Sequence, residues 1–133
     1  MVILTYTDTI LFMMANTITT DLTQVVHVLR DCSTACRSLT TSPSLEVARE
    51  HHLDLQKLIR LVNDCAASCD IAVLLIERKS HIVIDFLQVC EELTMECAWE
   101  CSKYGFDVCR DCADACEKVA KTCLPLIIQR DTL

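Results

Sequence analysis

The stretch CAWECSKYGFDVCRDCADACEKVAKTC, residues 97–123, decides the fold. Its cysteines stand at 97, 101, 109, 112, 116 and 123, so neighbouring sulfurs are three, four, seven or eight residues apart. An α-helix turns about 100° per residue, and such steps return to one face. On helical geometry Cys109, Cys112, Cys116 and Cys123 fall within about 60° of arc. Tyr104-Gly105-Phe106-Asp107 interrupts the pattern with the chain's single glycine, read as a C-cap between helices over 81–103 and 107–128.

The same reading extends outward. Before the turn, Val83, Leu87, Cys90, Thr94, Cys97 and Cys101 form one stripe, its three sulfurs within about 40°. Lys79-Ser80 separates it from a helix over 44–78 with the stripe His51, Leu55, Leu58, Val62, Cys65, Cys69, Ala72 and Ile76. Thr40-Thr41-Ser42-Pro43 reads as a stop followed by a start, so the first helix covers 17–40, with Ile18, Leu22, Val25, Leu29, Cys32, Cys36 and Leu39 on one face. The last stripe is Cys109, Cys112, Cys116, Val119, Cys123 and Leu126, with Pro125 near its end. Every cysteine lies on a stripe. Short connections make sequential helices antiparallel, which predicts an all-α, up-down-up-down four-helix bundle over 17–128. A segment over 1–16, with a short helix as one reading, precedes it, and a tail over 129–133 follows.

Composition agrees. One Gly and two Pro in 133 residues exclude the turn-rich sandwiches and the glycine loops that cradle phosphates. Eleven Cys would suit a small secreted disulfide scaffold, but three observations oppose it. No Lys or Arg precedes Arg30 and Asp8 interrupts the apolar start, so a secretory leader is not expected and the cytoplasm is. The cysteine count is odd, and a chain that is 52% hydrophobic buries a core without staples. A formal net charge of -7 argues against nucleic acid, and no apolar run reaches the roughly 18 residues of a membrane span.

If the turns lie near 42, 79 and 105, antiparallel pairing sets Cys65 beside Thr94, Cys69 beside Cys90, Cys112 beside Trp99, Cys116 beside Met95 and Cys123 near Gln88. Carried through the second helix, the count puts Cys32 and Cys36 level with Cys101, Gly105 and Cys109, with His51 close by. The thiols then form a column on the order of 25–30 Å long. Leu22, Ile76, Val83, Phe86 and Leu126 close its other end as a dry plug.

The repeated unit is Cys-x-x-x-Cys, at 32/36, 65/69, 97/101 and 112/116, which projects two sulfurs one turn apart on one face. Soft thiolates select Cu(I), Zn(II) or iron–sulfur clusters. Zinc wants four tetrahedral ligands, usually from turns or loops; a helical column offers two or three per level, which favours Cu(I). Iron–sulfur spacings are absent. The di-iron Glu-x-x-His pattern fails too, because Gln24, Ala48, Arg49 and Arg78 stand three before the four histidines. Cysteine also packs as a small hydrophobe, but that explains one or two core positions better than eleven facing one axis.

These residues resemble the cysteine-rich four-helix-bundle copper storage proteins. The likeness is carried by Cys97-x-x-x-Cys101, by Cys109-Arg110-Asp111-Cys112-Ala113-Asp114-Ala115-Cys116 with Cys123, and by Asp64-Cys65-Ala66-Ala67-Ser68-Cys69, and it covers residues 20–125. The resemblance implies storage of several Cu(I) ions per chain and a tetrameric homo-oligomer, with a copper chaperone as a candidate donor. It implies as ligands Cys32, Cys36, Cys65, Cys69, Cys90, Cys97, Cys101, Cys109, Cys112, Cys116 and Cys123. Val62, Ala72, Leu87, Thr94 and Val119 stand where more cysteines would continue the spacing, so a lower capacity is expected. Tyr104 to Val108 contains no His or Met where such a bundle would admit copper.

His51 reads either as a ligand at that mouth or as a histidine satisfied at the end of the core. His27 lies off the stripe, His52 and His81 read as surface or cap residues, and Met95 as packing. The apolar run Ile71 to Ile76 reads as a subunit interface or a well-buried helix end. The expectation is therefore a cytoplasmic Cu(I) store, not an enzyme. The alternatives are a thiol redox or stress protein, for which Cys109-x-x-Cys112 beside Arg110 is the nearest motif, a Zn(II)-binding bundle, and a structural bundle with inert cysteines.

Overall fold

The computed structural model describes residues 22–50 and 54–132. The N-terminal segment over 1–16, Ile18 and His51 lie outside the described residues. Five helices are described: α1 Leu22–Thr40, α2 Pro43–Glu50, α3 Gln56–Glu77, α4 Val83–Cys101 and α5 Asp107–Thr132.

The four long helices form a closed ring. α1 packs on α3 and α5, and α4 packs on the same two. Their directions follow from paired side chains. Arg30 meets Glu77 at 2.6 Å while Arg37 binds Asp70, so α1 and α3 run oppositely. Cys90 lies by the Ser68 carbonyl and Lys57 by Glu100, which makes α3 and α4 antiparallel. Arg130 binds Asp85 at 2.6 Å at one end of α4 and α5, while Cys101 and Cys109 interact at the other. The up-down-up-down bundle thus stands.

Its core is built from the stripe residues: Val25, Leu29, Leu39, Leu58, Val62, Leu87 and Val119 are fully buried between the thiols. At about 25 cal/mol per Å² of apolar surface, this burial is the main cohesive term. The polar clamps add less. Arg37 binds both Ser33 and Asp70, but its guanidinium is 61% exposed and the carboxylate 46%, so the pair contributes about 1 kcal/mol or less.

The structure corrects four expectations. The helix expected over 44–78 is two helices. Ser42 accepts the Ser44 N–H at 3.2 Å with Pro43 in the first turn, as expected, but Asp54 accepts the Gln56 N–H at 3.1 Å and starts a second helix there. The reason is tertiary. A continuous helix would carry residues 43–55 past the end of α1 by roughly 20 Å, stranding Leu45 and Ala48, both of which are buried. Register changes with it: Cys32 meets Cys65 and Cys116, and Cys36 meets Cys112, deeper in the bundle than the level of Cys101 and Cys109.

Gly105 is not left-handed, and α4 ends earlier, at Cys101 with Ser102 as its cap. The left-handed residue is Lys79, with φ of 54°. Ser80 N–H reaches the Leu75 carbonyl and Lys79 N–H the Ile76 carbonyl, both at 3.0 Å, the closing pattern that usually takes glycine. Finally, α5 runs through Pro125 to Thr132, beyond the expected end at 128, and Arg130 on this last turn binds Asp85 and Gln88.

Candidate metal centre

All eleven cysteines are buried, none more than 1% exposed, and all are free thiols. The helical stripe explains the shared direction; antiparallel packing brings four stripes to one axis. In the middle of the bundle Cys32 Sγ lies 3.7 Å from both Cys65 and Cys116, and Cys65 lies 3.8 Å from Cys116. One step along, Cys36 lies 3.6 Å from Cys112.

Two groups of four sulfurs, each mutually within 4.8 Å, result: Cys32, Cys36, Cys65 and Cys116, and Cys36, Cys97, Cys112 and Cys116. Cys36 and Cys116 belong to both. The remaining thiols extend this centre in two directions. The thiols of Cys32 and Cys65 lower the pKa of Cys69, and beyond it Cys90 donates to the Ser68 carbonyl at 3.5 Å, with Cys123 within electrostatic reach. In the other direction Cys101 links Cys97 and Cys112 to Cys109. Cys69 and Cys90, expected side by side, lie within electrostatic reach of each other.

Proton affinity differs along the column. Cys90 is raised to about 11 and Cys123 to about 12, in both cases chiefly because burial disfavours the thiolate. In the middle, thiols serve one another as donors. Cys116, Cys36 and Cys65 lower Cys32 to about 6, and Cys101, Cys116 and Cys36 lower Cys112 to about 5. Cys116 itself is pushed up by Cys112, Cys32, Cys36 and Cys65, so it keeps its proton while Cys32 and Cys112 release theirs. The centre can thus offer thiolates near neutral pH inside a core that excludes water, the condition for binding a soft cation.

Among the described residues, neither His nor Met is buried near this centre. His27 is on the surface beside Asp31 at 3.4 Å, His81 is exposed, and Met95 is 48% exposed rather than packed. The Cys101 and Cys109 end is bounded instead by Leu39, Leu45, Leu55 and Leu58, all buried, and by Tyr104, whose ring stacks on Phe106 at 6.5 Å and whose hydroxyl donates to the Asp54 carbonyl at 3.4 Å. Sequence reasoning missed this cover. The signals were Ser42-Pro43 as a helix start and Leu45 and Ala48 three apart, on a helix too short to stand out.

Comparison with known proteins places this geometry. A family model described as copper storage protein matches residues 18–128. An uncharacterized cysteine-rich protein of Bacillus subtilis (strain 168), YhjQ, is 34% identical over 93 residues, covering 70% of this chain and 83% of that one. Among solved structures, the Cu(I)-bound copper storage protein BsCsp3, from Bacillus subtilis, is 28% identical with a TM-score of 0.65, over 78% of this chain and 95% of that one. A cytosolic copper storage protein from Streptomyces lividans, described with five coppers, is 26% identical with a TM-score of 0.57, over 86% and 92%.

Proposed function

The chain belongs to the copper storage protein family, and from that premise we propose that it binds several Cu(I) ions per chain along the sealed thiol column and stores them. One observation carries the reading: eleven buried thiols form a continuous column in which neighbouring four-sulfur groups share Cys36 and Cys116. Shared thiolates suit low-coordinate ions bridged from one to the next, whereas separate tetrahedral cages would each need four sulfurs of their own. All eleven cysteines are the proposed ligands. His51 is proposed as a ligand on the way in.

Charge argues for Cu(I) over Zn(II). Each Cu(I) that replaces one thiol proton leaves the charge of the core unchanged. A Zn(II) held by four thiolates carries two net negative charges, and the buried polar side chains among the described residues, Ser33, Ser42, Ser68, Thr94 and Glu100, include no cation to offset them. Burial of every thiol likewise disfavours the redox reading, because a disulfide-exchange partner needs access to sulfur.

Exchange of protons for ions makes no covalent change, so the role is a store rather than a catalyst. The proposed site of action is the cytoplasm; no described helix is long and apolar enough to cross a membrane. Ile71 and Leu74 on α3 and Val89 on α4 are exposed apolar residues, and we assign this face to self-association, with a tetramer as the assembly and a copper chaperone as donor.

Anaerobic titration of the reduced protein with Cu(I) against a competing chelator tests the function. Several tight equivalents per chain are expected. One or none sinks the storage reading, and equal uptake of Zn(II) under the same conditions overturns the charge argument.

A further inference from the structure

Since every thiol is sealed from solvent, an ion reaches the column only when part of its cover moves. Building on the reading of the chain as a Cu(I) store, we propose that α2 is a lid over the Cys101 and Cys109 end and that copper enters when it lifts. The position follows from its neighbours. α1 ends at Thr40 and α3 begins at Gln56, at the end of the bundle where α4 ends and α5 begins. Eight helical residues span about 12 Å, enough to cross between helices packed 8–10 Å apart. Leu45 and Ala48 on the inner side of α2 join the same core as the thiols, while Val47 on the other side is 50% exposed.

What holds α2 down is slight. An eight-residue helix does not stand alone in water, and the ion pair of Glu46 with Arg49 lies within α2 itself. Among the described residues, no side chain of α2 makes a hydrogen bond or ion pair to a long helix; apolar burial alone keeps it closed. Its surroundings are fixed. Glu100, buried, binds Lys103 at 2.9 Å and Lys57 at 3.8 Å, pinning the end of α4 to the start of α3, and Tyr104 ties the α4–α5 turn to Asp54. At the other end of the column, Leu126 and Ile127 are buried on a 26-residue helix whose Arg130 holds Asp85 and Gln88. Local opening favours the element with the fewest buried contacts, and among the described helices that is α2, with only Leu45 and Ala48 buried. The Tyr104 to Val108 turn at this end contains no His or Met to pass an ion inward.

Alkylation of the metal-free, reduced protein with iodoacetamide, mapped by peptide mass, tests the lid independently of copper. Cys101 and Cys109 should react ahead of Cys90 and Cys123. Leu45→Ala should accelerate the first pair by roughly 30-fold, the cost of emptying a buried leucine site read as an opening equilibrium, and leave the second pair unchanged. Leu126→Ala should not accelerate Cys101 or Cys109. Loading from a Cu(I) chelate should reach a limiting rate set by opening, and that rate should rise in Leu45→Ala. Equal reactivity of all thiols, uniform acceleration by Leu45→Ala, or selective alkylation with unchanged loading overturns the lid. If the protein takes up no Cu(I), the storage reading fails instead, and the alkylation pattern alone decides whether α2 opens.

Discussion

Removing one sulfur from the middle of the column should cost more copper than removing one from its end, and Cys116→Ala against Cys109→Ala measures the difference. Cys116 belongs to both four-sulfur groups and lies 3.7 Å from Cys32 and 3.8 Å from Cys65. Without it, the groups shrink to Cys32, Cys36 and Cys65, and Cys36, Cys97 and Cys112, joined only through Cys36. Cys109 belongs to neither group and interacts with Cys101 alone as a hydrogen-bond partner. If one Cu(I) replaces one thiol proton, Cys109→Ala removes at most about one ion. Cys116→Ala disturbs the two groups together and should remove about two. The metal-free fold should survive either change: a sulfur is about the size of a methylene, and deleting one such group from a core costs about 1 kcal/mol. The assay is anaerobic Cu(I) titration with a competing chelator, with helical circular dichroism as the folding control. Full capacity in Cys116→Ala, or an equal or larger loss in Cys109→Ala, refutes the bridged-column reasoning.

Three further outcomes follow from single features. Cys90 and Cys123, held at about 11 and about 12 by burial, stay protonated through neutral pH, so Cu(I) bound there displaces a proton from each thiol it engages; its affinity should fall about 10-fold per pH unit for each such thiol on acidification, and a variant lacking both thiols should lose this component. A flat pH dependence of the weakest ion between pH 8 and 7 would contradict it. Lys79→Gly should raise stability by about 0.5–1 kcal/mol in urea unfolding, because Lys79 occupies the left-handed region at φ 54° on an exposed turn; no gain means that position carries no strain. His51→Ala should slow Cu(I) loading without lowering capacity, and unchanged stopped-flow kinetics remove His51 from the route.

The burial of the cysteines was legible in the sequence. Cysteine placement is a local property, and a helix turns sequence spacing directly into direction, so all eleven could be assigned to core-facing stripes before any packing was known. The joint assignment of Cys69 and Cys90 also held, because only the short Lys79-Ser80 turn separates their helices and reflection across a short turn preserves level. The assignment of Cys32 and Cys36 did not. Between α1 and α3 the chain spends thirteen residues, 43–55, on α2 and its return, and the spacing alone did not reveal that these leave the helix axis.

Apolar periodicity could not expose that break, since Leu45, Ala48, Leu55 and Leu58 fit a continuous helical stripe as well as they fit two helices. Asp54 as a helix start was one polar residue among several. Gly105 misled for a related reason: glycine permits a left-handed cap without requiring one, and here the demand for positive φ fell on Lys79.

By itself, then, the sequence determined that this protein is helical, that its sulfurs share one face of each helix, and that these sulfurs are ligands suited to a soft metal, because dihedral geometry and ligand softness act within a few residues. Only the tertiary structure decided which thiols meet, that Cys36 and Cys116 are shared between two groups, and that Leu45 and Ala48 of α2 join the core. Those outcomes depend on the relative sliding of whole helices and on where Leu45 and Ala48 find partners, and both are settled by burial over long sequence distances.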